Sequence, residues 1–142
     1  MTQEDKDLLL KDLCARLPYG VKVAFFNEDL TYHSEPKTLT GIECINNLNY
    51  SSLEDEDGNT TIVEFVKPYL FPLSSMTDEQ KKKYNWLKHS VFVCHYEYGD
   101  VVEEIELYDS PESFEYLIEN HIDYRGLIER ELAIDATGLN IY

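Results

Sequence analysis

The sequence has no long apolar run and only three cysteines. Its apolar stretches are far shorter than the ~20 residues that a membrane span needs, and no charged start leads into an apolar signal core. Cys14, Cys44 and Cys94 are odd in number and widely spaced, which does not fit a disulfide framework. We therefore expect a cytoplasmic protein that does not associate with a membrane.

The usual signatures of catalysis and cofactor binding are also missing. There is no glycine-rich phosphate loop, no HExxH motif and no GxSxG elbow. Cys94 and His95 are adjacent, and neighbouring strand residues point to opposite faces, so they do not suit one metal or one nucleophilic pair. The acidic turn at 54–59 partly matches a calcium loop, but Leu53 occupies its first ligand position. We predict no catalytic residue, no cofactor and no metal.

What the sequence has in excess is acid. Its 28 Asp and Glu residues outnumber its 12 Lys and Arg residues, which gives a formal net charge of −16. The imbalance is steepest in residues 99–142, which hold twelve acids and two arginines. Such a surface repels nucleic-acid phosphates and anionic membranes and attracts basic partners, although solubility alone is the simpler explanation.

Local signals predict both helices and strands. Four helix starts are recognisable from a capping residue: Thr2, Thr77, Ser110 and Asp123. Alternation of apolar residues, bounded by turn residues, predicts strands at 21–26, 38–45, 60–66, 91–98 and 101–108. The last two are expected to pair as a hairpin around Gly99-Asp100. Pro68 is expected to stop strand pairing, and Pro68 and Pro72 are expected to stiffen residues 69–71 into an apolar strap.

The order of these elements favours the α+β class, because the strands cluster instead of alternating with helices. We expect a small twisted antiparallel sheet or partly open barrel, covered by an N-terminal helix and C-terminal helices. Residues 1–142 are expected to form one domain, with 135–142 as a tail.

Three stretches carry a resemblance to known sequences: LLLKDLCARLPYGVKV at 8–23, VKPYLFPLSSMT at 66–77 and IDYRGLIERELAI at 122–134. Together they resemble a group of short proteins from gut Bacteroides-type bacteria and their phages, a group with no assigned activity. The resemblance implies a phage, prophage or mobile-element accessory protein in a bacterial cytoplasm. It assigns no functional residue.

These observations lead us to expect a non-enzymatic interaction protein that binds a basic surface of a host or phage protein, and not nucleic acid directly. One specific form is a counter-defence inhibitor that mimics nucleic-acid charge. The expected contact residues combine carboxylates with tyrosine anchors. They are Glu103, Glu104, Glu106, Tyr108, Asp109, Glu112, Glu115, Tyr116 and Glu119.

Two other classes of function remain open. One is a small-ligand-binding protein or enzyme with a cleft beside residues 66–77. Its expected lining residues are Tyr69, Cys94, His95 and His121. The other is a small structural or assembly protein, for example a dimer joined through the hairpin edge.

Overall fold

The computed structural model describes residues 1–45 and 50–142. Within these residues the α-helices are Gln3–Arg16 (α1), Asp78–Leu87 (α2) and Pro111–Glu119 (α3). The strands are Lys22–Phe25 (β1), Lys37–Ile45 (β2), Tyr50–Asp55 (β3), Thr60–Thr61 (β4), Val66–Pro72 (β5), His89–Glu97 (β6), Asp100–Tyr108 (β7), Ile122–Asp123 (β8) and Ile134–Asp135 (β9). The predicted α+β class is confirmed.

The main sheet is open and mixed. Its strand order is β4-β3-β2-β1-β5-β8, and β9 also pairs with β5. The strands from β4 to β5 in this order pair antiparallel, whereas β8 and β9 add to β5 in parallel. The β2–β3 ladder has a register shift between Leu39 and Gly41. β6 and β7 form a separate two-stranded sheet.

β5 is a central strand, so the prediction that Pro68 stops strand pairing is wrong. Pro68 lies opposite Val23 of β1. Further along the same ladder the Phe26 N–H donates to the Phe65 carbonyl at 2.7 Å. Because hydrogen-bonded and non-hydrogen-bonded pairs alternate in an antiparallel ladder, the Val23–Pro68 pair is of the second kind. Proline therefore withholds no N–H that this ladder needs.

The helix starts follow the capping signals at three of the four predicted places. The hydroxyls of Thr2, Thr77 and Ser110 each accept the N–H of the residue three positions on. The fourth prediction, a helix after Asp123, is wrong because the chain forms turns there. The Asp123 carboxylate instead accepts the N–H groups of Leu127 and Ile128 at 2.9 and 2.8 Å, and Gly126 takes a φ of +73° that no α-helix continues.

The main core lies between α1 and the sheet. Leu9 and Leu13 of α1 pack with the inward side chains of β1, β2, β3 and β5, and with Leu127 and Leu132 from the turns. A smaller cluster around Leu117 joins α3 to Met76 and to β8. Burial of these apolar groups is the main force that holds the helices to the sheet.

A buried ionic cluster ties α1 to the segment after α3. Asp12 and Arg16 are fully buried, and the Arg16 Nε lies 2.8 Å from Asp12 Oδ2. Arg16 also donates to the Ile122 carbonyl at 2.7 Å, and Arg125 donates to Asp12 at 3.1 Å. The two guanidinium groups share one carboxylate, and further donors of Arg16 bond to main-chain carbonyl oxygens.

Residues 135–142, expected to form a tail, contribute to the packed structure. Asp135 belongs to β9, and Ala136 is buried with its N–H donating to the Leu70 carbonyl at 2.8 Å. The Tyr142 hydroxyl donates to the Tyr69 carbonyl at 2.7 Å. These contacts place Tyr142 beside β5.

Candidate functional site

The β6–β7 hairpin is one candidate site. Its register runs from His89 opposite Tyr108 to Glu97 opposite Asp100. At the turn, Tyr98 and Gly99 have φ values of +51° and +85°, and positive φ at both positions is what a type I′ turn requires. The predicted hairpin is therefore confirmed.

One face of this hairpin is apolar and exposed. Side chains directly opposite in an antiparallel pair share a face, so the pairs Phe92–Ile105 and Tyr96–Val101 lie together, with Leu107 beside them. Phe92 is 63% exposed and Ile105 71% exposed. We call these five residues the apolar face. The Cys94–Glu103 pair lies between the two apolar pairs on this face.

The carboxylates of β7 are divided between the two faces, as the alternation predicts. Glu103 lies on the same side as the apolar face, whereas Glu104 and Glu106 lie on the opposite side. The Tyr108 hydroxyl donates to Glu106, and this hydrogen bond raises the pKa of Tyr108. Carboxylate side chains therefore lie on both faces of the hairpin.

The base of the hairpin is anchored at the junction of α2 and α3. The Asp109 carboxylate accepts hydrogen bonds from the Tyr84 and Ser113 hydroxyls. Burial, with the bond to Asp109, raises the pKa of Tyr84. The Ser110 hydroxyl donates to the Leu87 carbonyl at 2.7 Å. These hydrogen bonds hold the base of the hairpin against α2 and the start of α3.

The other predicted contact residues lie on α3. Glu112, Glu115 and Glu119 are exposed, and Glu115 accepts the Tyr19 hydroxyl at 2.6 Å. Tyr116 is half-buried and packs against the cluster around Leu117, so part of its ring is committed to the core. The nine predicted residues are therefore spread over β7, the base of the hairpin and α3.

The residues expected to line a cleft are not brought together. Cys94 is exposed on the hairpin. His95 faces the opposite side of that hairpin, and Tyr69 is buried in β5. His121 lines a pocket of ≈ 440 Å³ beside β5, which neither Cys94 nor His95 lines.

The acidic turn at 54–59 is held by hydrogen bonds between its own residues. The Asp55 Oδ1 accepts the N–H groups of Asp57 and Asn59 at 2.9 and 3.0 Å. Over residues 1–45 and 50–142, no group of three or more His, Cys, Asp and Glu side chains is placed to hold a metal.

Sequence reasoning missed two features of these sites. Trp86 is 75% exposed, with the Lys83 Nζ 4.5 Å from its ring centroid. Tyr142 lines the His121 pocket, although its position in the sequence carries no signal for this. Both outcomes depend on how α2 and residues 134–142 dock, which local patterns do not encode.

The chain has no match among protein-family models, curated proteins or solved structures. None of the described helices has the length and apolar character needed to cross a membrane.

Proposed function

We propose that this chain is a non-enzymatic interaction protein that binds a basic protein through the β6–β7 hairpin and the adjoining acidic α3. The observation that carries the proposal is the exposed apolar face. A hairpin of two strands is marginally stable by itself in water, and a third layer or strand stabilises it. A partner that covers Phe92 and Ile105 supplies that layer.

Charge favours a basic partner over a second copy of this chain. Residues 89–124 contain ten Asp and Glu and no Lys or Arg. A second copy would bring the same ten carboxylates against the first set, and like charges at an interface oppose association. A partner with basic groups around an apolar patch complements both features.

The exposed tyrosines suit such a contact. Tyr96 is 82% exposed and Tyr98, at the tip of the hairpin, is 99% exposed. Tyrosine buries a large area at an interface while losing little conformational entropy. In the specific form of this proposal, suggested by the resemblance to phage proteins, the partner is a host nucleic-acid-binding protein and the carboxylates take the place of phosphates.

The test begins with affinity capture on the immobilised chain, from a lysate of a gut Bacteroides-type bacterium at low and high salt. The captured basic protein is identified and purified, and its affinity is measured for three variants of this chain. F92S/I105S removes the apolar face and E103Q/E104Q/E106Q removes three carboxylates. E28Q/E79Q/E129Q removes the same charge at exposed sites outside the hairpin and α3.

The proposal expects the first two variants to lose binding by tenfold or more and the third to lose far less. It also expects affinity to fall with salt, because exposed charges are screened over roughly 8 Å at physiological ionic strength. Equal losses for the two triple variants would mean that only net charge matters. That result, or the absence of any basic protein at low salt, would overturn the proposal.

A further inference from the structure

A pocket lies where four parts of the chain meet beside the end of β5. Phe71 and Ser75 come from β5 and the turn after it, Gln80 from α2, His121 from the turn after α3, and Tyr142 from the last described segment. Its volume is ≈ 440 Å³, which falls within the range of sites for small molecules.

One wall of the pocket is aromatic and fixed in place. The rings of His121 and Tyr142 stack with centroids 3.8 Å apart and planes 12° from parallel. The Phe71 ring lies 5.8 Å from that of Tyr142. The Tyr142 hydroxyl accepts the Lys22 N–H at 2.9 Å and donates to the Tyr69 carbonyl. The wall is thus preformed, which lowers the entropy cost of binding.

His121 is an unsatisfied group in this wall. The residue is 8% exposed, and its Nδ1 is buried without a hydrogen-bond partner among the described residues. Its backbone is held at a φ of +59° while its carbonyl accepts the Phe71 N–H at 2.9 Å. A buried polar atom without a partner is unfavourable, and it is an exception among native structures that calls for an explanation.

The charge of the lining selects the ligand. Glu119 is its one carboxylate, and none of the described lining residues is Lys or Arg. The Asn120 amide donates its Nδ2 to the Tyr116 carbonyl at 2.8 Å, which leaves its Oδ1 free to accept. Burial, with the charge of Arg16 adding to it, lowers the pKa of His121 to about 4. The imidazole is therefore neutral at pH 7 and does not repel a cation.

We propose that this pocket binds a guanidinium or ammonium group, held by the Glu119 carboxylate and packed against the His121–Tyr142 rings. A cation gains from a carboxylate through a charge-assisted hydrogen bond and from aromatic faces through cation–π attraction. An anion would meet Glu119 with no counter-charge in the described lining. The cation can belong to a small molecule or to an Arg or Lys side chain of a protein.

A second pocket has a volume of ≈ 530 Å³ and is a weaker candidate for a ligand site. It is lined by Asp123 and Arg125 among others. Asp123 already accepts two backbone N–H groups, and Arg125 is already paired with Asp12. Asp123 and Arg125 therefore already have partners, whereas the His121 Nδ1 has none among the described residues.

The test uses nuclear magnetic resonance titration of the full chain with ethylguanidinium, and with ethylurea as its uncharged analogue. A blocked Gly-Arg-Gly peptide is titrated in parallel to separate the two sources of the cation. We expect ethylguanidinium to shift the amide signals of residues 119–121 and 142, with a dissociation constant of about 1 mM or lower, and ethylurea to shift them far less. Peptide binding supports a protein side chain, and binding of ethylguanidinium alone supports a small molecule.

Two glutamate variants of α3 make the test specific. Glu119→Gln removes the carboxylate of the pocket and should weaken binding about tenfold. Glu112→Gln makes the same charge change on an exposed residue outside the pocket and should leave binding unchanged. Equal weakening by both variants, or no shift with either cation, would overturn the proposal. The F92S/I105S hairpin variant should still bind, so this site and the hairpin proposal can fail separately.

Discussion

The hydroxyl of Tyr142 donates to the carbonyl of Tyr69 at 2.7 Å and completes a ladder that two strands leave open. In the β1–β5 register, Val23 faces Pro68 and Ala24 faces Lys67, so the next hydrogen-bonded pair would join Lys22 to Tyr69. The Tyr142 hydroxyl accepts the Lys22 N–H at 2.9 Å instead. A side chain distant in sequence thus satisfies one donor and one acceptor of the central sheet.

Tyr142→Phe removes this hydroxyl and keeps the ring. We expect the free energy of unfolding to fall by about 1–2 kcal/mol, because a backbone donor and a backbone acceptor lose their partner. Urea unfolding followed by circular dichroism measures the loss. Tyr32→Phe, at an exposed side chain, is the matched control and should change stability by less than about 0.5 kcal/mol. Equal stability of the two variants would contradict the ladder interpretation.

The stability of the protein should fall as the pH falls from 6.5 to 4, partly because of His121. Its pKa is lowered from 6.5 to about 4 in the folded protein, so in this window the unfolded chain binds the proton and the folded chain does not. Protonation then favours unfolding. Above pH 6.5 both states are neutral and the effect vanishes.

His121→Asn isolates this contribution, since Asn tolerates the left-handed backbone better than most residues. The stability of the wild type minus that of the variant should decrease by up to about 3 kcal/mol between pH 7 and pH 4. Denaturant unfolding at each pH gives both free energies of unfolding. The contributions of the carboxylates that the two proteins share largely cancel in the difference. A difference that stays constant over this range would show that His121 does not titrate in the predicted way.

Asp12 should be among the carboxylates on which stability depends most. Asp12→Asn leaves the buried Arg16 guanidinium, and Arg125 beside it, without their shared carboxylate. Removing one partner of a buried ion pair costs about 3–5 kcal/mol. Asp7→Asn, on an exposed position of the same helix, should cost less than about 0.5 kcal/mol. A loss below about 1 kcal/mol at Asp12 in thermal or urea unfolding would argue against a structural role for the cluster.

The β6–β7 hairpin should open more easily than the main sheet. Its apolar face is exposed, so opening the hairpin loses little buried apolar surface, whereas β1 and β5 are held by the core. Native-state hydrogen exchange should give opening free energies at least about 2 kcal/mol lower in residues 90–107 than in β5. Equal protection of both regions would indicate that the hairpin is already stabilised without a partner.

Several elements follow directly from the sequence because their signals are local. The caps at Thr2, Thr77 and Ser110 each depend on a hydroxyl and an N–H three residues away, and the chain meets that requirement by itself. The hairpin around Gly99 depends on two alternating runs and a turn that favours positive φ. The separation of Glu103 from Glu104 follows from the two-residue period of a strand.

The parts that sequence reasoning could not supply depend on contacts between distant residues. Asp123 has the composition of a helix cap, but its carboxylate is used to close turns around Leu127. Two-residue strands such as β8 and β9 have no periodicity to recognise, and they exist because β5 offers a free edge. The exposure of Trp86 and Cys94 likewise reflects which faces of α2 and β6 remain uncovered.

The sequence by itself determined the helix starts, the hairpin with its alternating faces and the acidity of the region around it, since each depends on neighbouring residues or on composition. The tertiary structure alone decided that β5 is central, that Tyr142 reaches Lys22 and Tyr69, and that His121 lies buried in a pocket wall. These relationships join residues from 21 positions apart, for His121 and Tyr142, to 120 positions apart, for Lys22 and Tyr142. They arise when burial of the common core brings the segments together, and no local pattern records that.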